Sequence, residues 1–240
     1  MDFLYALEDD ANQKILQGWS WVVSQTGGDD GDFFRICALP ALVSVGLFWI
    51  LNVPLLFFNF VPSMNPLERW KVQKGRYEKK ERVIRMILVV LMNQAISMAI
   101  SINKWNYDGL KDLGIKSGLE GLPGIRRLAW QIPACCFLYD VLFFFVHCAM
   151  HTKWLYHNIH KWHHMSKISI GISSAYFHPV DYVLSGLTVL APPLIVGDHI
   201  LTNVIWLAVH MLETTNAHCG YDIPFTPSAR DHGTSTARVV

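Results

Sequence analysis

Four long apolar stretches constrain this chain more than any other feature of its sequence. They contain few charged residues and cover Ile36–Val61, Met86–Ile102, Leu128–Val146 and Val180–Leu212. A helix of roughly 20 apolar residues crosses a bilayer core. Only 16% of the chain is charged and 52% is hydrophobic, whereas soluble domains carry about 25% charged residues. The sequence therefore predicts an all-α integral membrane protein.

The last of these stretches is interrupted twice, at Pro192-Pro193 and at Gly197-Asp198-His199. Its two halves predict either a full helical hairpin or a pair of helices that enters one leaflet and turns back. We therefore expect about four to five transmembrane or re-entrant helices.

A strongly basic loop separates the first two apolar stretches. Residues 67–85 carry eight Lys or Arg against three Glu, which predicts a solvated, helical connector with salt bridges. Short loops rich in Lys and Arg stay on the cytosolic side of a membrane, so the N-terminus is expected on the lumenal side. Because the basic residues follow membrane boundaries rather than forming one long patch, no nucleic-acid partner is expected.

The remaining segments divide the chain into four expected regions. They are an acidic N-terminal tail, a transmembrane hairpin that includes the basic loop, a histidine-bearing domain and a divergent C-terminal tail: 1–34, 35–127, 128–225 and 226–240. In the tail, a short interfacial helix is expected around Trp19 and Trp21. No basic segment followed by an apolar run opens the chain, so no cleavable signal peptide is expected. The five cysteines include no CxxC pair and predict no disulfide framework.

Histidines are concentrated in one part of the chain. Seven of the eleven lie between residues 147 and 178, and none precedes them. His147 and His151 are spaced i, i+4 and continue the third apolar helix. His160, His163 and His164 form an HxxHH set, which would lie on one helical face. Because neutral imidazole is the commonest protein ligand for iron, zinc and copper, this constellation predicts a metal site.

The other histidines have simpler interpretations. His199 and His210 lie in apolar surroundings and are expected to be satisfied polar residues. His157 is expected on the surface, although it shares a helical face with the HxxHH set. Three spans from a lumenal start place His147 at the cytosolic side, and His218 returns to the same side. The sequence thus predicts a histidine-rich helical cap that faces the cytosol.

The motif chemistry limits the class of metal protein. A zinc protease would need HExxH, in which the glutamate is the base, but Cys148 follows His147 and Met211 follows His210. A transmembrane haem protein would need only one histidine on each of two facing helices. A larger set of closely spaced imidazoles suits two metal ions side by side, with open positions for oxygen.

These motifs resemble those of the membrane-bound fatty acid hydroxylase and sterol desaturase superfamily. His147 and His151 match its first box, HxxxH, and the segment IHKWHH matches its second, HxxHH. AYFHP, with His178, matches a following His-Pro segment. ETTNAHCGYDIP, with Glu213 and His218, is similar to a segment of the 4-methylsterol oxidase branch.

The resemblance implies a di-iron centre and an endoplasmic reticulum enzyme that activates dioxygen. Such an enzyme takes electrons from NAD(P)H through a b-type cytochrome and its reductase, and hydroxylates a C–H bond of a sterol or fatty-acyl lipid. The expected metal ligands are His147, His151, His160, His163, His164 and His218. Further candidate ligands are His178, Glu213 and Asp140, the last because an acid within a span normally faces protein or a polar cavity.

The sequence departs from the family pattern after His218. The family closes its site with a second HxxHH, whereas this chain continues with TPSARDHGTSTARVV, in which His232 stands alone. The expectation is a truncated, incomplete hydroxylase-like domain in 128–225 and the loss or weakening of one of two metal positions. Two alternatives remain beside an active oxygenase. One is a catalytically impaired variant that keeps the fold, and the other is a histidine-rich metal-binding membrane protein.

Overall fold

Helices make up most of the chain in the computed structural model, which describes residues 2–224. Eight α-helices form within these residues: α1 Asp2–Gln25, α2 Leu39–Phe60, α3 Lys80–Ser101, α4 Lys104–Asp112, α5 Ile125–Met150, α6 Lys153–Asn158, α7 Pro179–Val196 and α8 Ile200–His218. A π-helical turn, Phe34–Ala38, leads into α2. Shorter 3₁₀ turns lie at Gly28–Gly31, Pro62–Met64, Glu68–Trp70, His160–Met165 and Gly171–Ala175. The tail predicted at 226–240, with His232, lies outside the described residues.

Four helical segments of the described chain are long and apolar enough to cross a membrane. They are Phe34–Phe60, Lys80–Ser101, Ile125–Met150 and Pro179–Val196. The shortest has 18 residues, or about 27 Å at 1.5 Å per residue, close to the thickness of a bilayer core. Helix α8 is not among them, so only the first half of the expected C-terminal hairpin is a candidate span. The chain is an all-α membrane protein, as predicted.

Helix α7 continues through Pro192 and Pro193, where the sequence predicted an interruption. Pro193 has no N–H, so the carbonyl of Val189, four residues earlier, loses its helical donor. The indole Nε1 of Trp206 donates to that carbonyl oxygen at 2.8 Å. A neighbouring side chain therefore replaces the hydrogen bond that Pro193 cannot make, and the helix continues to Val196.

The N-terminal segment forms a 24-residue helix, much longer than the short helix expected around Trp19 and Trp21. Trp19 is buried, and its Nε1 donates to the carbonyl oxygens of Ser117 and Gly118 at 3.2 and 3.1 Å. A tryptophan held in this way ties the helix to the rest of its unit, so this segment is not a solvated tail.

Before Lys80 the basic loop contains one 3₁₀ turn, Glu68–Trp70, and no α-helix, which corrects the expected helical connector. Asn59, near the end of α2, binds both backbone groups of Glu78. Its Nδ2 donates to the Glu78 carbonyl at 3.1 Å, and its Oδ1 accepts from the Glu78 N–H at 2.8 Å. This pairing uses the backbone groups of Glu78 outside a helix, and α3 begins two residues later.

The chain divides into two compact units, and five long helices contribute residues to both. The first unit contains Met1–Val45, Ala95–Ala149 and Val183–Ala208. Its core packs Trp19 against Ile115 and Ile200. Beside this core, the buried Arg35 donates from Nε to the Ser117 carbonyl at 3.0 Å and from Nη1 to the Gly28 carbonyl at 2.6 Å. The guanidinium therefore connects three segments of this unit.

The second unit contains Gly46–Gln94, Met150–Tyr182 and the described residues 209–224. Its core joins α2 and α3 to the segment that follows the HxxHH motif: Phe48, Leu56, Val83, Met86, Val90, Ile170, Ile172, Ala175 and Tyr176. The side chain of Asn93, fully buried on α3, donates to the carbonyls of Ala175 and Phe177 at 3.4 and 3.0 Å. This unit holds all the histidines of the HxxHH motif.

Candidate metal centre

The first two histidines of the site lie in the last turn of α5 and directly after it. His147 and His151 are one turn apart, and α5 ends at Met150. Aromatic rings lie in a column along this helix: Tyr139 stacks on Phe143 at 5.4 Å, and Phe143 stacks on His147 at 5.3 Å between ring centroids. The column restricts the orientation of the His147 imidazole.

The HxxHH motif lies in a 3₁₀ helix, His160–Met165, and not in the expected α-helix. Helix α6 ends at Asn158, and Ile159 adopts φ −126° and ψ −66°, which departs from helical geometry. In a 3₁₀ helix, residues i and i+3 lie above one another. The imidazoles nevertheless pair differently: the ring of His164 lies 4.8 Å from that of His160, whereas the ring of His163 lies 5.8 Å from it.

Three imidazoles meet in a tight cluster. His151, His160 and His164 offer ring nitrogens that lie within 4.8 Å of one another. The Nε2 atoms of His160 and His164 are 3.1 Å apart. Two nitrogens that bind one ion at about 2.1 Å, at right angles to each other, would be about 3.0 Å apart. The cluster therefore fits a single transition-metal ion.

A buried carboxylate orients the central histidine of the cluster. Asp181, in the first turn of α7, is fully buried and lies 2.7 Å from Nδ1 of His160. A carboxylate accepts hydrogen bonds and cannot donate when ionised, so Nδ1 of His160 carries the proton. The lone pair of Nε2 then faces His164. Metal-binding histidines almost always donate their other N–H to a carboxylate or carbonyl in this way.

Lowered pKa values at His164 and His151 favour the neutral imidazole, which is the form that binds metals. Burial, with the neighbouring His160 and His151, lowers the pKa of His164 to about 4. Burial also lowers the pKa of His151, helped by the proximity of His160. Both imidazoles are therefore ready to accept a metal ion near neutral pH.

A second pair of imidazoles lies beside this cluster. His163 stacks on Phe177, with ring centroids 4.3 Å apart and an interplanar angle of 3°. The ring of His218, the last residue of α8, is 5.6 Å from the ring of His163. Nδ1 of His218 lies 2.8 Å from the Thr214 carbonyl, and a carbonyl can only accept, so Nε2 is left as the ligand atom. Burial lowers the pKa of His218 as well.

The structure does not bring the three further candidates into the metal-binding group. Asp140 is exposed on α5, two turns before His147. His178 stacks edge-on against Trp162 at 5.0 Å, and its Nδ1 accepts from the Val180 N–H at 3.3 Å. Glu213 is exposed on α8.

Three histidines, His157, His199 and His210, were not expected to bind metal. His157 is exposed, as predicted. His199 is buried, with Nε2 2.9 Å from the Gly118 carbonyl, which confirms a satisfied polar residue. His210 is buried on α8.

Sequence reasoning did not find Asp181, Phe177 or Tyr156, whose ring stacks on His151 at 5.5 Å. Asp181 stands in the first turn of a helix, where an acid usually complements the helix dipole. Nothing in its spacing from His160, 21 residues earlier, indicates a contact. Only the packing of α7 beside the 3₁₀ turn places it there.

Comparison with known proteins identifies the family. The sequence pattern of the family described as "Fatty acid hydroxylase" matches residues 132–238. The chain is 26% identical over 214 residues to "Methylsterol monooxygenase 2-2" of Arabidopsis thaliana, a match that covers 89% of this chain and 77% of that protein. No solved structure matches the chain.

Two further relatives have different names. "Very-long-chain aldehyde decarbonylase GL1-8" of Oryza sativa subsp. indica is 30% identical over 192 residues, covering 78% of this chain and 70% of that protein. "Fatty acid hydroxylase domain-containing protein 2" of Macaca fascicularis is 30% identical over 217 residues, covering 89% and 64% respectively. Together with the histidine boxes and the four spans, these matches show that the chain belongs to the fatty acid hydroxylase superfamily of membrane enzymes.

Proposed function

We propose that this protein is a membrane-bound di-iron oxygenase that hydroxylates a C–H bond of a 4-methylsterol or a fatty-acyl lipid. The observation that carries the proposal is the cluster of His151, His160 and His164 with the buried Asp181 behind it. Neutral imidazoles with open metal positions suit iron enzymes that use oxygen. Membership of a family of lipid-modifying enzymes supports the same class of chemistry.

Each iron has its own proposed ligands. His151, His160 and His164 would hold the first ion, since their ring nitrogens form one group, and His147 would join them as the first histidine of the HxxxH motif. His163 and His218 would contribute to the second, because their rings lie beside each other and beside the first cluster. Asp140 is not proposed as a ligand, because it is exposed two turns away.

The proposed reaction balances as R–H + O₂ + NAD(P)H + H⁺ → R–OH + H₂O + NAD(P)⁺. A b-type cytochrome and its reductase would deliver the two electrons. Bound iron would supply the oxygen chemistry that cleavage of an unactivated C–H bond requires. The protein would orient the imidazoles, with Asp181 holding the proton on Nδ1 of His160, and would keep them neutral by burial.

The membrane setting of the reaction is also part of the proposal. The basic loop at 67–85 would face the cytosol, following the preference of Lys and Arg for that side. The histidine cap would then lie at the cytosolic surface of the endoplasmic reticulum membrane. A lipid substrate would reach it from the adjacent leaflet.

The test uses the full chain in lipid nanodiscs. Iron and zinc per chain are measured, followed by oxygen-dependent conversion of a 4-methylsterol, a fatty-acyl lipid and a long-chain aldehyde in the presence of NADH, a b-type cytochrome and its reductase. We expect two irons per chain, a hydroxylated product and loss of iron in His160→Ala. The matched control is His157→Ala, because His157 is exposed on the same segment and lies outside the metal-binding group.

The alternatives give different results. At most one iron and no product would favour a catalytically impaired relative that keeps the fold. Bound zinc without oxygen-dependent product would favour a histidine-rich metal-binding protein. Unchanged iron in His160→Ala would defeat the ligand assignment. Sterol profiling of a null strain complemented with the chain would then identify the substrate class.

A further inference from the structure

The turn that follows His218 is held unusually tightly. Gly220 has φ +78°, and a Cβ placed on it would lie 2.5 Å from the carbonyl oxygen of Ser169. Cys219 and Tyr221, on either side, are both buried. Helix ends tend to open locally unless they are tied down. The position of the His218 imidazole therefore depends on what secures this turn.

The basic loop supplies the backbone part of that attachment. The Val72 N–H donates to the Gly220 carbonyl at 3.0 Å, and the Asp222 N–H donates to the Trp70 carbonyl at 2.8 Å. These bonds form an isolated antiparallel bridge between Lys71 and Tyr221. Residues 150 positions apart in the chain are thus held side by side.

Lys71 supplies an unusual side-chain attachment. It is only 6% exposed, and its Nζ lies 4.6 Å from the ring centroid of Tyr77 and 4.8 Å from that of Tyr221. Within the described residues, no carboxylate forms a salt bridge with this ammonium. Burial lowers the pKa of Lys71 accordingly. The nearby charge of Glu68 favours the cation, and the two tyrosine rings contact it directly, where a desolvated cation–π contact is stronger than an exposed one.

A hydrogen-bond network holds both tyrosine rings in place. Nδ2 of Asn65 donates to the Tyr221 hydroxyl at 3.0 Å and to Oε2 of Glu68 at 3.0 Å. The Tyr77 hydroxyl donates to the same Glu68 oxygen. Each ring is thus secured at its hydroxyl while its face contacts the ammonium.

We propose that Lys71 is a positioning residue. Caged by Tyr77 and Tyr221, it latches the basic loop onto the turn after α8 and thereby keeps the imidazole of His218 beside His163. The inference rests on the proposed function for its catalytic meaning, because His218 matters only if it binds metal. The latch itself is a property of the metal-free protein and is tested separately.

The first measurement follows the latch without metal. Cys219, which is 6% exposed, is alkylated with a maleimide in the metal-free protein in nanodiscs, and its modification is followed by peptide mass spectrometry. We expect Lys71→Met to be modified about tenfold faster, because loss of two cation–π contacts lets the turn open more often. Lys71→Arg should restore most of the protection. The matched control is Lys74→Met, an exposed lysine of the same loop.

The second measurement follows His218. Purified protein is loaded with Co²⁺ alone, and its d–d absorption bands report the ligand set. The spectrum of Lys71→Met should match that of His218→Ala, and Lys71→Arg should return to the wild-type spectrum. A merely structural contribution of Lys71 would lower thermal stability without reproducing the His218→Ala spectrum.

The outcomes separate the two ideas. If Cys219 in Lys71→Met is alkylated at a rate within twofold of the wild-type rate, the proposed latch is refuted. Faster alkylation with an unchanged Co²⁺ spectrum would overturn the positioning of His218. If the wild-type protein bound no Co²⁺ at all, the proposed function would fail, and alkylation of Cys219 would still decide whether the latch exists.

Discussion

Replacing Asp181 by asparagine should weaken metal binding while leaving the fold intact. The carboxylate lies 2.7 Å from Nδ1 of His160, and both side chains are almost completely inaccessible to water. A hydrogen bond to a charged group contributes about 1.5–3 kcal/mol. Solvent cannot screen this pair, so the full range applies. Asparagine keeps the shape of the site but can present its NH₂ to Nδ1, which would move the imidazole proton onto Nε2, the atom that faces the metal position.

The expected result for Asp181→Asn is a 10- to 100-fold weaker affinity for the first metal ion, about 1.4–2.7 kcal/mol. The assay is titration of the purified protein in nanodiscs with Co²⁺ against a chelator of known affinity. Asp108→Asn, an exposed acid on α4 that pairs with Lys104, is the control and should bind metal like the wild type. An affinity of Asp181→Asn within twofold of wild type would refute the role of the carboxylate in orienting His160.

Three further predictions concern stability. Because the pKa of His164 is lowered to about 4, the unfolded state binds the proton first, so metal-free protein should lose stability as the pH falls from about 6.5 through about 4. A thermal-unfolding midpoint with the same pH dependence in His164→Gln would contradict this. Gly220→Ala should lower the free energy of unfolding by about 1–3 kcal/mol, because the φ of Gly220 is positive and Ser169 leaves no room for a Cβ. Gly186 has open space around it, so Gly186→Ala should leave that free energy nearly unchanged. Arg35→Met should destabilise the protein by about 3–5 kcal/mol, because buried partners lose their charge-assisted bonds. Arg126 is exposed and pairs with Glu8, so Arg126→Met should lower the free energy of unfolding by about 1 kcal/mol or less. Equal losses in Arg35→Met and Arg126→Met would refute the prediction.

Local rules explain what could be predicted from the sequence. A bilayer imposes a minimum length and an apolar composition on any helix that crosses it, so the four spans were visible in the apolar stretches. The spacing of His147 and His151 within one helix brings them together without help from the rest of the fold. The motif also indicated His160 and His164 as metal ligands, although their helix is of the 3₁₀ type.

Tertiary contacts decided the rest of the fold and the site. The acidic N-terminal segment packs as a helix because Trp19 is buried and donates to the carbonyls of Ser117 and Gly118. The carbonyl of Val189, which lacks a helical donor because of Pro193, is satisfied by Trp206 from α8. Neither partner is near in sequence, and hydrophobic periodicity carries no information about which distant group will satisfy a particular backbone atom.

The sequence by itself determined that this protein is a helical membrane protein of the fatty acid hydroxylase superfamily, and it predicted a metal site at the histidines. Only the tertiary structure decided which groups orient those histidines. Asp181 reaches His160 across a gap of 21 residues, and Lys71 reaches the turn after His218 across 150. The physical reason is that ligand spacing is a local property of the backbone, whereas the carboxylate and the cation that orient the ligands act through space. Their positions exist only once the helices have packed.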